Sequence, residues 1–343
     1  MAYDGCMADI RTLCNLGVPS RVPVFAISEE ADVRWYDRGT YNEIVSDPAK
    51  LADCWIAAVE EFDYDWSCLQ IDDCLEFEPL GVGCKGEGSI LRATCDYLPA
   101  TADTLKSLRL PNPSSAGRMP VQLEALQRVR SHFGERVCVV GRVAAPFSSA
   151  GLLYGLEATM MLMLEDPGLL NATCDFFVDL QTQFGLAQYE AGAHALWVGD
   201  CNAMSNLISL RHYDEFAFEP CRRLIGTLNE AGLTFLHNSE ERPAYLEREV
   251  DLGASIVSVG PGGDIVATKE AFHGRQAVMG NLDPIEVVQK GTPEQVAEKT
   301  RAMVEACKPG GGYAFNPGEM IPRETPPENL RAMVAAVREV GGY

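Results

Sequence analysis

The chain has 343 residues, 47% of them hydrophobic, with 28 Lys and Arg against 49 Asp and Glu for a formal net charge of −21. That length suits one large α/β domain or two ordinary ones. A surface so acidic repels phosphate backbones and anionic membranes, which argues against a nucleic-acid or membrane-surface binder. No run of 18 apolar residues occurs, so no transmembrane helix is expected. The start, "MAYDGCMADIRTLCNLG", lacks the basic region and long apolar core of a secretory signal. Twelve cysteines form no C-x-x-C pair and read as reduced, mostly packed thiols of a cytoplasmic protein, with an anaerobic setting in keeping.

In chain order, "VPVFAI" (22–27), "SCLQID" (67–72) and "VCVVGR" (137–142) read as strands, each followed by helical sequence. Between them, "LGVGCKGEGSILRATCDYL" reads as a hairpin excursion and "LRLPNPSSAGRMP" as a Pro/Ser loop. Five more strands are expected at 195–199, 233–237, 254–259, 276–280 and 311–316, alternating with helices. In the helix at 209–232, Leu210, Tyr213, Ala217, Cys221, Leu224, Ile225 and Leu228 recur at helical spacing, with Ser209 as its cap and Gly232 as its stop. Two Thr-Pro motifs predict capping boxes, Thr292 with Gln295 and Thr325 with Glu328. Strict β-α alternation implies parallel strands. Eight such units predict a (β/α)8 TIM barrel, a single domain over 1–343 with an inserted hairpin in the N-terminal half. A doubly wound open sheet is the alternative, but no Gly-x-Gly-x-x-Gly follows the first strand.

Active sites of such barrels lie at the C-terminal ends of the strands. Asp72, Asp200, His237, Asn281 and Glu319 stand at those ends. Each also has a plain structural reading. His237 could be a hydrogen-bonded structural residue, Asp72 and Asp200 could be helix caps, Asn281 a turn residue and Glu319 a solvated rim carboxylate. Convergence favours function: a histidine and three acids at one mouth make a metal or acid/base cluster.

The stretches "VVGRVAAPFSSAGLLYGLEATMMLMLEDPGLL", "GNLDP", "GTPEQV" and "GGYAFNPGEMIPRETPPENLRAMVAAV" resemble the uroporphyrinogen decarboxylase superfamily, from about residue 20 to the end. That superfamily holds both porphyrinogen decarboxylases and cobamide-dependent methyltransferases. The decarboxylase branch carries an Arg-Gln-Ala-Gly-Arg-Tyr stretch whose arginines hold substrate carboxylates. Here the equivalent is "FAISEEADVRWYD", with Glu29 and Glu30 where cations are expected, and these would repel a polycarboxylate. Asp72 falls where that branch has its catalytic aspartate. The methyltransferase branch is the better likeness. Its thiol-methylating members bind zinc through His-x-Cys at a strand end and a second cysteine after Pro-Gly. Here the same places read His237-Asn238-Ser239 and Pro317-Gly318-Glu319.

The resemblance implies His237 and Glu319 as zinc ligands, with Asp200, Cys201 or Glu240 as a third. A site without thiolates is harder and suits an oxygen leaving group. The expected activity is therefore methyl transfer from a methoxylated aromatic to the Co(I) of a corrinoid (cobalamin) cofactor, the demethylating step of an O-demethylase. The chain has no Asp-x-His-x-x-Gly signature, so the corrinoid is expected on a separate partner protein. Asp72, Asp200 and Glu78 are the expected proton donors or substrate-orienting acids. Phe147, Tyr154 and Asn281 are the expected substrate-binding residues. The rival readings are a methylcorrinoid:thiol methyltransferase, a uroporphyrinogen decarboxylase and a non-catalytic homologue that binds a corrinoid protein or porphyrin-like ligand.

Overall fold

The structure, a computed structural model, describes residues 2–68 and 71–343. Its strands are β1 (Trp66–Cys68), β2 (Cys84–Lys85), β3 (Ala93–Thr94), β4 (Cys138–Ala144), β5 (Ala195–Gly199), β6 (Leu233–His237), β7 (Ile256–Ser258), β8 (Ala277–Asn281) and β9 (Tyr313–Asn316). Seven of them form one curled sheet in the order β1-β4-β5-β6-β7-β8-β9, every pair parallel. Helices fill the connections, as the alternation in the sequence demands. β2 and β3 pair antiparallel as the expected hairpin after β1. Leu69 and Gln70, the middle of the strand expected at 67–72, lie outside the described residues.

The segment expected as the first of eight strands makes only an isolated bridge, Val24 beside Phe315. It still closes the barrel. On one side Phe25 N donates to Phe315 O and Phe315 N donates to Pro23 O, both at 2.9 Å; on the other Asp65 N donates to Val24 O at 3.0 Å. Regular pairing fails for local reasons. Pro23 has no N–H to give, and Val24 N donates to the Asp65 carboxylate at 2.8 Å instead of to a strand carbonyl.

Aromatic side chains fill the interior below the mouth. Phe25 stacks on Trp66 at 4.9 Å and on Phe235 at 5.5 Å, and Trp66 meets Trp197 edge-on at 5.4 Å. The parallel register pairs Trp197 with Phe235, and Gly199 with His237 two residues further along. Side chains two apart on a strand share a face, so His237 stands one layer above Phe235, and its ring lies 4.5 Å from Trp197.

Two helix expectations need correction. The Thr292 capping box forms as read, but the second does not. The residue before a proline is driven to extended backbone, so Thr325 and Pro326 precede the helix, which runs Pro327–Val340 with no side-chain cap. The helix expected at 209–232 is capped by Ser209 but ends at Leu228, and widens into a π-turn at Tyr213–Ala217. Pro220 has no N–H for the carbonyl one turn back, which accounts for the widening. Among the described residues no single helix is long and apolar enough to cross a membrane, and the cysteines are free thiols.

Candidate active site

His237 closes β6 and is 4% exposed. Its Nδ1 lies 2.9 Å from Ser258 Oγ on β7. Its Nε2 lies 3.2 Å from Ser239 Oγ and 3.4 Å from Glu319 Oε2. Ser239 takes a left-handed backbone, φ +57°, which bends the chain sharply after the strand. Its hydroxyl donates to Glu319, whose other oxygen accepts from Met320 N at 2.8 Å. Glu319 is partly open to solvent, with 42% of its side chain exposed. Burial would raise its pKa, but the hydrogen bond and charge of His237, with the Ser239 hydroxyl and the Met320 N–H, hold it down to about 2. The mouth therefore presents an imidazole next to a fixed carboxylate anion.

Asp200 follows β5 and is 1% exposed. Its N–H donates to the His237 carbonyl at 2.8 Å, which places it on the strand next to the imidazole. Its carboxyl accepts from Ser148 Oγ at 2.7 Å, and Ser148 is itself held by Asn202 N at 3.0 Å. Burial pushes Asp200 up to about 7, against the Ser148 hydrogen bonds. A carboxyl poised there can hold and release a proton near neutral pH.

Asp72 and Glu78 come together in a different arrangement. Arg118 forks onto Asp72 at 2.7 and 2.9 Å, and Cys74 N donates to the same carboxylate at 2.9 Å. The Arg118 Nε donates to Glu78 at 3.0 Å, and Arg92 closes on its other oxygen. Asp200, unlike these two, has no guanidinium on it among the described residues. Phe147 is fully buried in helix Pro146–Tyr154, and Tyr154 turns its hydroxyl to Thr173 at 3.3 Å, so neither offers much surface to a ligand. The Asn281 amide donates to the carbonyls of Gly260 and Gly263, both at 2.7 Å, and ties the β7 loop to β8.

The zinc expectation fails a test of donors. Among the described residues no group of three His, Cys, Asp or Glu could hold a metal ion. Glu240 receives Ser205 N and Oγ, Glu241 N and Arg242 N at 2.7–2.9 Å, so its oxygens are taken. His237 and Glu319 are a pair of donors, one short of the three protein ligands of a catalytic zinc.

Sequence reasoning missed Arg142, on β4 and only 12% exposed. It donates to the Asp72 carbonyl at 2.9 Å and pairs with Asp73. The signal was a charge inside "VVGRVAAP", an otherwise apolar run.

The family model described as uroporphyrinogen decarboxylase (URO-D) matches residues 11–340. The chain is 27% identical over 353 residues to a uroporphyrinogen decarboxylase of Anaeromyxobacter dehalogenans, covering 96% of this chain and 97% of that one. It is 24% identical over 326 residues to a methylcobamide:CoM methyltransferase of Methanosarcina acetivorans, covering 93% of each. A solved structure of a methyltransferase from Methanosarcina mazei shares the fold with a TM-score of 0.87 at 22% identity, covering 97% of this chain and 98% of that one. The chain's length is thus shared with relatives of both chemistries and its fold with a methyltransferase, and the chain belongs to the uroporphyrinogen decarboxylase family.

Proposed function

We propose that the protein is a corrinoid-dependent methyltransferase, the demethylating component of an O-demethylase that acts on methoxylated aromatics. The observation that carries this reading is the mouth around His237, an imidazole beside a carboxylate anion, with acids rather than cations at the end of the first stave among the described residues. There Glu29 is buried, 3% exposed, and burial pushes it up to about 8. A substrate with several carboxylates gains nothing from such a wall, which disfavours porphyrinogen decarboxylation. The relative whose name includes methylcobamide supports a corrinoid partner. We place that corrinoid on a separate protein that covers the mouth, in the cytoplasm.

The corrinoid, when docked, supplies the nucleophile that takes the methyl group. This chain handles the other side of the broken bond. As the methyl C–O bond opens, its electron pair stays on the aryl oxygen, a poor leaving group unless that charge is met. A proton held at Asp200, which lies behind this strand end on the Ser148 hydroxyl, is the one proposed to let the product leave as a neutral phenol. His237, its ring fixed by Ser258 and by the Ser239–Glu319 pair, forms the polar wall beside that oxygen. Zinc has no part in these steps.

The test combines the purified chain, a separately prepared corrinoid protein held as Co(I), and a methoxyphenol. Methyl-cobalt absorbance and demethylated phenol should rise together, one for one. Formation of coproporphyrinogen from uroporphyrinogen, with no methyl transfer from any methoxyarene, would replace this reading by the decarboxylase.

A further inference from the structure

Among the described residues, Arg142 is the only Lys or Arg in the seven strands of the curled sheet. The register fixes its direction. Arg142 pairs with Trp197, and Trp197 with Phe235. Neighbours in register on parallel strands point to the same face, and the rings of Trp197 and Phe235 meet Trp66 and Phe25 inside the barrel. Arg142 therefore points inward, one layer below His237. Gly141, before it, faces the opposite way, where an added Cβ would strike Gln188 and Leu196.

The layer above it is thin. On β4, β5 and β6 that layer is Ala144, Gly199 and His237, and Ser258 follows on β7. Such layers are ordinarily filled by bulky branched side chains. Here Ala144 and Gly199 put only a methyl group and a hydrogen there. A Cβ added to Gly199 would meet nothing within 4 Å among the described residues. The space beside His237 is therefore open, and Arg142 and Trp197 form its floor. Cys201 marks where it meets solvent: its thiol is exposed and lies in the fields of Glu319, Asp73, Asp200 and Arg142.

A guanidinium in a barrel interior needs acceptors. Among the described residues, Arg142 donates to the Asp72 carbonyl and to Asp73. The carbonyl carries no charge, and the Asp73 side chain is 42% exposed, so water can take its place as that carboxylate's partner. A guanidinium offers five N–H donors in a planar fork, which can receive a carboxylate beside Asp73 or in its stead. One cation matches one anion, and the acids nearby, Asp73 and Glu319, would repel a second. Length sets the rest. Two residues along a strand rise about 6.6 Å, and one benzene ring with a carboxylate on one side and an ether oxygen on the other spans a step of that size. We propose that Arg142 sets the specificity of this mouth by taking the carboxylate of an aromatic monocarboxylate, whose ring fills the space beside Gly199. The proposal rests on the demethylase reading for the methoxy group at the far side of that ring, and it puts the ether oxygen at the level of His237.

The experiment measures binding to the full chain by calorimetry, with no corrinoid present. Its two probes are para-methoxybenzoate and para-methoxybenzyl alcohol, which keeps the ring and the ether but has no charge. The carboxylate should bind at least about tenfold more tightly than the alcohol. Arg142→Gln should cost the carboxylate about tenfold or more and the alcohol far less. Asp73→Asn, a gentler change at a half-exposed side chain, keeps the guanidinium and removes its competitor. It should tighten the carboxylate by about threefold or more, which a purely structural Arg142 would not produce. Gly199→Leu fills the space and should weaken both probes alike. Equal binding of the two probes, no binding of the carboxylate, or a carboxylate preference that survives Arg142→Gln would overturn the proposal. Failure of the demethylase reading looks different: para-methoxybenzoate would give no methyl to Co(I) corrinoid protein, while its Arg142-dependent binding to the chain would persist.

Discussion

His237 is held on both ring nitrogens, by Ser258 and by the Ser239–Glu319 pair, and the proposed proton donor, Asp200, follows the neighbouring strand. In Asp200→Asn the geometry at Ser148 survives but the proton is lost. Methyl transfer should fall about 10²-fold or more. The wild-type rate should decline as pH rises through about 7, where Asp200 deprotonates, and the variant should lack that decline. An unchanged rate and pH profile in Asp200→Asn would remove it from the mechanism. Arg118 answers to a different test. Its guanidinium is the partner of fully buried Asp72. Arg118→Met strands that carboxylate and should cost about 3–5 kcal/mol in a urea melt. A loss under about 1 kcal/mol would mean the pair is worth no more than a surface ion pair.

At the scale of elements, two similar Thr-Pro motifs lead to opposite expectations. Thr292 completes a capping box with Gln295, so Thr292→Ala should destabilise by about 1 kcal/mol. Thr325 is buried with its hydroxyl unpartnered, so Thr325→Val should be neutral or stabilising. Paired denaturant melts check both, and a matched loss in the two variants would contradict the cap assignment. The sequence alone made both look like boxes, because the second proline of Thr325-Pro-Pro moves the helix start by one residue. Periodicity and strand-end position made the barrel, His237, Asp200 and Glu319 legible. They could not show that Arg118 would reach Asp72 from 46 residues away, nor that Tyr154 would turn to Thr173 on the next long helix. Arg142 was missed because the apolar run read as ending there, whereas β4 continues to Ala144. Long-range partners of this kind follow from the packed fold and leave no local pattern.

The whole molecule is an acidic barrel with several buried acids, and pH acts on it through them. Asp200, Asp32 and Glu76 are each pushed up by burial to about 7, and Glu29 to about 8. Each therefore holds its proton to a higher pH in the folded chain than in the unfolded one. The unfolded state binds fewer protons between about pH 4 and 7, so stability should fall as pH rises through that window. Self-repulsion at a net charge of −21 acts in the same direction. A metal-free melting series from pH 5 to 8 should show a falling Tm, and a flat or rising one would contradict these shifts. The central claim is that this mouth removes a methyl group from an aryl ether and hands it to a corrinoid carried by another protein. The most direct measurement is a single-turnover reaction with Co(I) corrinoid protein and a methoxyphenol labelled in its methyl group. The account predicts label on cobalt, unlabelled phenol released in equal amount, and neither when the corrinoid protein is left out. Demethylation by the chain alone, or no label on cobalt with a panel of methoxyarenes, would contradict it.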